Sequence, residues 1–231
     1  MIGRSRPASD LGSSDVKPMI YELRSYVLAP GRLAEYLEAA GRVGRGIRGD
    51  DYGKLEGHWF PLVGSPDPDR VVHLWSYRDF AERDRLRAEL ANNDRWKTEF
   101  LSVLPPLVQR QENRILTPGR PLTPAVGRDN VYELCIERTI FGATPQFTDA
   151  LLAALPAHDD DVRNIGVWQT SIGTLNEVIH LWAYPNMDLL LDHERQRVAD
   201  PRWQNVERLR RTVVVQRDVQ RLTGSFFSPM G

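Results

Sequence analysis

VVHLWSY, residues 71–77, returns as VIHLWAY, residues 178–184. Both are short runs of β-branched, aliphatic and aromatic residues, and they read as strands. The flanks repeat as well. YELRSYVLAPGRLAEYLEAA from Tyr21 is echoed by YELCIERTIFGATPQFTDALLAA from Tyr132. NDRWKTEF around Trp96 returns as DPRWQNVE around Trp203, and QRQENRIL from Gln109 as QRDVQRL from Gln216. The offset is 111 residues at the Tyr21 block and 107 at the others. So long a period marks a duplicated domain and not a solenoid of short units.

Each copy changes periodicity in the same order. Ile20 to Val27 reads as a strand, and Pro30-Gly31 ends it. Leu33, Tyr36, Leu37 and Ala40 then recur at helical spacing. Leu55 to Val63 and Val71 to Tyr77 read as strands joined by the Pro/Asp/Gly-rich turn at Gly64 to Asp69. Asp79 is an expected N-cap for a helix through Phe80, Arg83, Leu86 and Leu90. That helix breaks near Asn92-Asn93 and resumes through Trp96, Phe100 and Val103. Leu107 to Leu116 is a fourth strand. The order β-α-β-β-α-β is the ferredoxin-like split unit. The expected fold is therefore α+β, with two tandem ferredoxin-like repeats at residues 19–116 and 130–224. A linker, 117–129, joins them, and tails lie at 1–18 (expected to be flexible) and 225–231.

Alternation along a strand sends neighbours to opposite faces. One face carries Leu23, Val72 and Leu74, and in the copy Leu134, Ile179 and Leu181. The other mixes Glu22, Arg24, Tyr26, His73, Trp75 and Tyr77, echoed by Glu133, Cys135, Glu137, His180, Trp182 and Tyr184. The aliphatic face finds a partner in the helices of its own repeat. An aromatic face left in water would be a large patch of a kind soluble chains avoid. The expectation is that the two sheets clasp into one intramolecular barrel, with the histidine- and tryptophan-bearing faces inside around a semi-polar cavity.

At this point the chain resembles the NIPSNAP family of the dimeric α+β barrel superfamily. The resemblance rests on YELRSYVLAPG, the HLW strand and the DPRW segment, and extends from Met19 onward in two copies. It implies ferredoxin-like halves and a barrel; it implies no particular reaction. The wider superfamily includes cofactor-free monooxygenases, haem-binding enzymes, and isomerases or cyclases.

Composition excludes other classes. The 231 residues are 41% hydrophobic and 26% charged, with a net charge of −1. That balance argues against a general nucleic-acid or anionic-membrane binder, and no apolar run is long enough for a membrane helix. Cys135 stands alone, so no internal disulfide forms. A polar N-terminus without a signal core points to the cytoplasm. Arginine outnumbers lysine 27 to 3, which suggests a GC-rich bacterial genome.

For chemistry, His73 and His180 are the candidate acid–base groups, with Glu22 and Glu133 as carboxylates that could orient them. The competing reading makes each His–Glu pair a buried lock. Arg24 can hold an anionic or carbonyl group or simply neutralise Glu22. Tyr26, His58, Trp59, Trp75 and Tyr77, with Glu133, Trp168, Trp182 and Tyr184, are candidate ligand-binding residues, though the tryptophans serve equally as core. Arg24, Tyr26 and His58 become Cys135, Glu137 and Val167 in the second copy, so a working site belongs to the first. Cys135 lacks a cation to activate it. GRVGRGIRGD, residues 41–50, reads as a flexible connection. His158 with Asp159 to Asp161 is a solvated loop or a weak metal cluster, and no other metal spacing appears. The expected partner is a small, largely apolar or aromatic molecule. No cofactor is implied, haem being the alternative through His73 or His180. The reaction would be that of a cofactor-independent oxygenase, isomerase or cyclase in bacterial specialised metabolism. The rival is a non-catalytic binding or interaction module, and outer helices and strand edges remain available for a homodimer.

Overall fold

In the computed structural model, which describes residues 19–155 and 162–230, eight antiparallel strands close into one barrel. The first half supplies β1 (Ile20–Leu28), β2 (Lys54–Pro61), β3 (Arg70–Tyr77) and β4 (Val108–Pro118). The second supplies β5 (Val131–Thr139), β6 (Arg163–Ile172), β7 (Glu177–Tyr184) and β8 (Val214–Gly224). Around the barrel the order is β1-β3-β2-β8-β5-β7-β6-β4. The halves join where the last strand of each reaches the second strand of the other: Leu222 opposite Pro61, and Leu116 opposite Thr170. The segment beyond each joint continues along the same neighbour. Ser225 N–H donates to the His58 carbonyl, and Gly119 N–H donates to the carbonyl of the equivalent Val167. The N-terminal 18 residues and the cluster at His158 to Asp161 lie outside the described residues.

Helices cover the outside. The first half has α1 (Leu33–Glu38), continued by a π-helical stretch, Ala39–Gly44, into α2 (Arg45–Arg48), and then α3 (Phe80–Asn92). The second has α4 (Thr144–Ala154), α5 (Met187–Ala199) and α6 (Pro201–Val213). Asp79 caps α3 by accepting from Glu82 N–H at 2.8 Å, and Asn186 caps α5 by accepting from Leu189 N–H at 2.9 Å. These caps satisfy donors that a helix start leaves free. The glycine-rich 41–48 stretch is helical and not the flexible connection its glycines suggest. A Cβ on Gly41 would lie 2.4 Å from Phe226, and one on Gly44 would lie 2.8 Å from Phe100. Those glycines admit close packing.

One expectation is reversed. The aliphatic faces fill the barrel: Leu23, Val72, Leu74 and Leu116 meet Leu134, Ile179, Leu181 and Leu222 there. Trp59 and Trp168 join them, each ring lying over a glycine two residues earlier, Gly57 or Gly166. What remains at the centre is a void of about 10 Å³, below what a ligand needs. An eight-stranded barrel encloses just enough space for its own side chains. The histidine-bearing faces point outward, beneath the helices. The reason lies in α3, which has few apolar side chains to offer an aliphatic sheet. It offers arginines, and these meet the buried Glu22.

Candidate functional site

The outward face of the second half is closed. His180 is buried, and both ring nitrogens are engaged. The Trp182 indole N–H donates to Nδ1 at 2.9 Å, which leaves the proton on Nε2 to be donated to Glu137 at 3.2 Å. Glu137 also accepts from Arg210 at 2.8 and 2.9 Å. Burial works to raise the Glu137 pKa, but the bonds from His180 and Arg210 outweigh it and hold the carboxyl down at about 2. The Arg197 guanidinium sits 4.5 Å from the Trp182 ring centre and 4.3 Å from that of Trp203, and lies 3.7 Å from Glu133. Leu190, Val206 and Phe147 fill the remaining space.

The same strand motif in the first half borders a cavity of about 330 Å³ between sheet and helices. Trp75 N–H donates to His73 Nδ1 at 2.6 Å, repeating the bond of the other half. The proton of His73 therefore sits on Nε2, which is buried and has no partner among the described residues. Where Glu137 would receive it, the first half has Tyr26, whose ring meets His73 edge-on at 4.9 Å. His58 stacks on His73 at 5.4 Å and on Tyr36 at 6.1 Å, with Phe227 against it at 4.6 Å. Both of its ring nitrogens are buried and unpartnered. Burial pushes His58 down to about 3 and His73 well below its ordinary value, so both imidazoles are neutral at pH 7. The hydroxyl-bearing rings of Tyr26 and Tyr36, the π-wound Ala40 and Gly44, and Phe100 complete much of the wall. π-turns recur at functional sites, and here small residues on one keep the space open.

Arginine dominates the polar lining. Arg24 reaches Glu22 only at 3.7 Å, and its Nε is buried without a partner. Glu22 is held by Arg83 at 2.9 Å and Arg87 at 3.5 Å. Despite burial, these cations keep its pKa lowered. Arg48 lies flat on Trp75, its guanidinium carbon 3.3 Å from the ring centre, and donates to the Tyr77 hydroxyl and the Tyr52 carbonyl at 2.9 Å each.

The pattern of the NIPSNAP family matches residues 21–121, which span the first half, and 141–229, which take in the second half from α4 onward. The chain belongs to the NIPSNAP family. It is 30% identical over 216 residues to the human protein NipSnap homolog 3A, covering 92% of this chain and 86% of that protein. In three dimensions it is similar to an anthrone oxidase-like protein at a TM-score of 0.67 and 13% identity, covering 92% of this chain and 93% of that one. A protein provisionally assigned as a monooxygenase from Lactobacillus acidophilus gives 0.65 at 16%, covering 90% and 97%. At such identity these two show the fold alone.

In this NIPSNAP chain the candidates read from sequence fall into three places. Arg24, Tyr26, His58, His73 and Trp75 come together around the cavity, with Glu22 and Tyr77 behind Arg24 and Arg48. Glu133, His180, Trp182 and Tyr184 lie in the filled second half, away from that cavity. Trp59 and Trp168 are inside the barrel. The expected His–Glu pairing is also corrected: the carboxylate on His180 is Glu137, not Glu133, and His73 has none. Arg48, Tyr36 and Phe227 went unread. Arg48 hid in a glycine-rich run, and Phe227 arrives from the far end of the chain. Among the described residues no helix is long and apolar enough to cross a membrane, and no three His, Cys, Asp or Glu side chains gather as a metal site.

Proposed function

We propose that the first half binds a small, largely aromatic molecule and moves a proton on it, as a cofactor-independent oxygenase, isomerase or cyclase does. The observation that carries this reading is the pair of stacked imidazoles at the cavity wall, with three buried ring nitrogens left without partners. Buried polar atoms are nearly always satisfied, and a roomy cavity beside unsatisfied ones is a place for a ligand to satisfy them. His73, fixed as an Nε2–H donor, would bond to a ligand carbonyl oxygen. His58 would take a proton from a carbon conjugated with that carbonyl, and the developing enolate oxygen would be held by His73. Returning the proton to another carbon is an isomerisation. With dioxygen as co-reactant, a methylene becomes a carbonyl and one oxygen atom leaves as water.

A second reading, binding without turnover, is favoured by the low pKa of His58, about 3, which makes it a weak base. Anthrone, a planar tricyclic ketone with an acidic methylene, separates the two. The expected result is a 1:1 complex in native mass spectrometry and accelerated exchange of the methylene protons in D2O. His58→Val should retain the complex and lose the exchange. A complex with exchange at the solvent rate would leave the binding reading alone, and failure of anthrone and related polycyclic ketones to bind would remove both.

A further inference from the structure

The strongest unabsorbed feature of the cavity is its charge. Its lining includes Arg24, Arg45, Arg48 and Arg87 and no aspartate or glutamate. Three of the four have carboxylates close by: Arg45 bonds Asp50 at 2.8 Å, and Arg24 and Arg87 share Glu22. Arg48 has none. The residue is 4% exposed, its hydrogen bonds go to two neutral oxygens, and its Nε has no partner among the described residues. Burial lowers its pKa to about 10, so it remains a cation at neutral pH. A buried charge with no carboxylate in contact with it is costly for a fold to hold. The aromatic face of Trp75 offsets part of that cost. The other half uses the same device with a carboxylate close by: Arg197 also lies on the tryptophan of its HLW strand, donates to the matching tyrosine hydroxyl, and has Glu133 at 3.7 Å, while its Nε, like that of Arg48, lacks a hydrogen-bond partner among the described residues.

We infer that Arg48 is the anion anchor of the cavity, and that the ligand is a planar aromatic bearing a carboxylate or comparable oxyanion, because Glu22, the counterpart of Glu133, is already taken up by Arg83 and Arg87. The inference rests on the proposed binding role of the cavity and adds the charge of its occupant. Guanidinium suits such a group because its planar fork of N–H donors matches a carboxylate. The anion would be set against Arg48, and the aromatic body would lie toward Tyr36, His58 and Phe227.

The test compares 2-naphthoate with 2-naphthamide, alike in shape and different in charge, by titration calorimetry on the full chain. The expected result is binding of naphthoate at least tenfold tighter than naphthamide. In Arg48→Met the preference should shrink to within about twofold, and in Arg48→Lys most of it should survive. Should Arg48→Met fail to fold, the Nε–H resonance of Arg48, assigned by its loss in Arg48→Lys, decides on the native protein: it should shift with naphthoate and stay with naphthamide. Equal affinity for the two compounds overturns the inference and leaves the cavity a binding site. A preference that persists unchanged in Arg48→Met overturns the assignment to Arg48. If neither compound binds, the binding role itself falls, and the inference with it.

Discussion

The two halves of this chain share a fold, a strand motif and a tryptophan-to-histidine hydrogen bond, yet one is filled and the other hollow. Two exchanges and one contrast in charge pairing account for most of the difference. Glu137, which satisfies His180, corresponds to Tyr26, which leaves His73 with a free donor. Val167 corresponds to His58, whose two nitrogens are buried beside the cavity. Arg197 has a carboxylate at 3.7 Å, while Arg48 has none within 4 Å among the described residues. Duplication thus separates two roles that the sequence motif alone holds together. The second copy satisfies its histidine and supports the barrel, and the first leaves both of its histidines with open nitrogens toward a space. A buried network is stabilising only when its members are satisfied, so the hollow half has given up stability that the filled half retains.

The largest expected effect breaks the filled half. Glu137→Ala would take the acceptor from the His180 donor and leave Arg210 only the exposed Glu207, at a cost of about 3–5 kcal/mol by the usual penalty for opening a buried ion pair. Equilibrium urea unfolding at pH 7 measures it. Because the Glu137 carboxyl is held at about 2 in the fold against 4.5 ordinarily, its contribution is complete above pH 4.5 and fades as pH falls toward 2. The difference between wild type and variant should therefore narrow in acid. A cost under 1 kcal/mol at pH 7 would mean that the second half does not carry the network described.

A middle-sized effect tests what the halves have in common. Gly57 and Gly166 lie under the Trp59 and Trp168 rings, and an added Cβ would stand 2.2 and 2.3 Å from ring carbons. Gly57→Ala and Gly166→Ala should each cost about 1–3 kcal/mol, the range for overpacked cores, and by similar amounts. Thermal unfolding of the two variants side by side checks this. A cost at only one site would show that the barrel interior is not shared evenly, and that the asymmetry outside reaches inward.

How much of this was legible beforehand follows from the same residues. The HLW strands, the Asp79 cap and the closing of two repeats into a barrel can be read from pattern, because periodicity and order are local properties. Which face turns inward is not local. Alternation groups His73 with Trp75 and Leu74 with Val72, but only the helices opposite decide where each group goes, and that evidence lay in Arg83, Arg87 and Arg210. The helical run at 41–48 was hidden because glycine is a poor helix former. Its glycines answer to Phe100, Phe226 and Phe227, the last two more than 180 residues away. Arg48 was lost with that run. His58, Arg24 and Tyr26 were visible because they are the positions where the copies differ.

The smallest effect carries the filled half's residue into the hollow one. His58 titrates near 6.5 when unfolded and at about 3 in the fold, since burial disfavours its charged form. Above pH 6.5 both states are neutral and the residue adds no pH dependence. As pH falls below 6.5 the unfolded chain gains a proton that the folded chain refuses, so stability drops by up to about 1.4 kcal/mol per pH unit, and the loss levels off only near pH 3. His58→Val, which copies Val167, should remove that share of the slope while His73, His180 and His193, all shifted the same way, keep theirs. Urea midpoints between pH 6.5 and 5 read the difference in a window above most carboxylate titrations. An unchanged slope would mean that His58 already takes up its proton in the fold, through water or a ligand entering the cavity, and the contrast between a dry filled half and an open hollow one would then be sharper than burial alone implies.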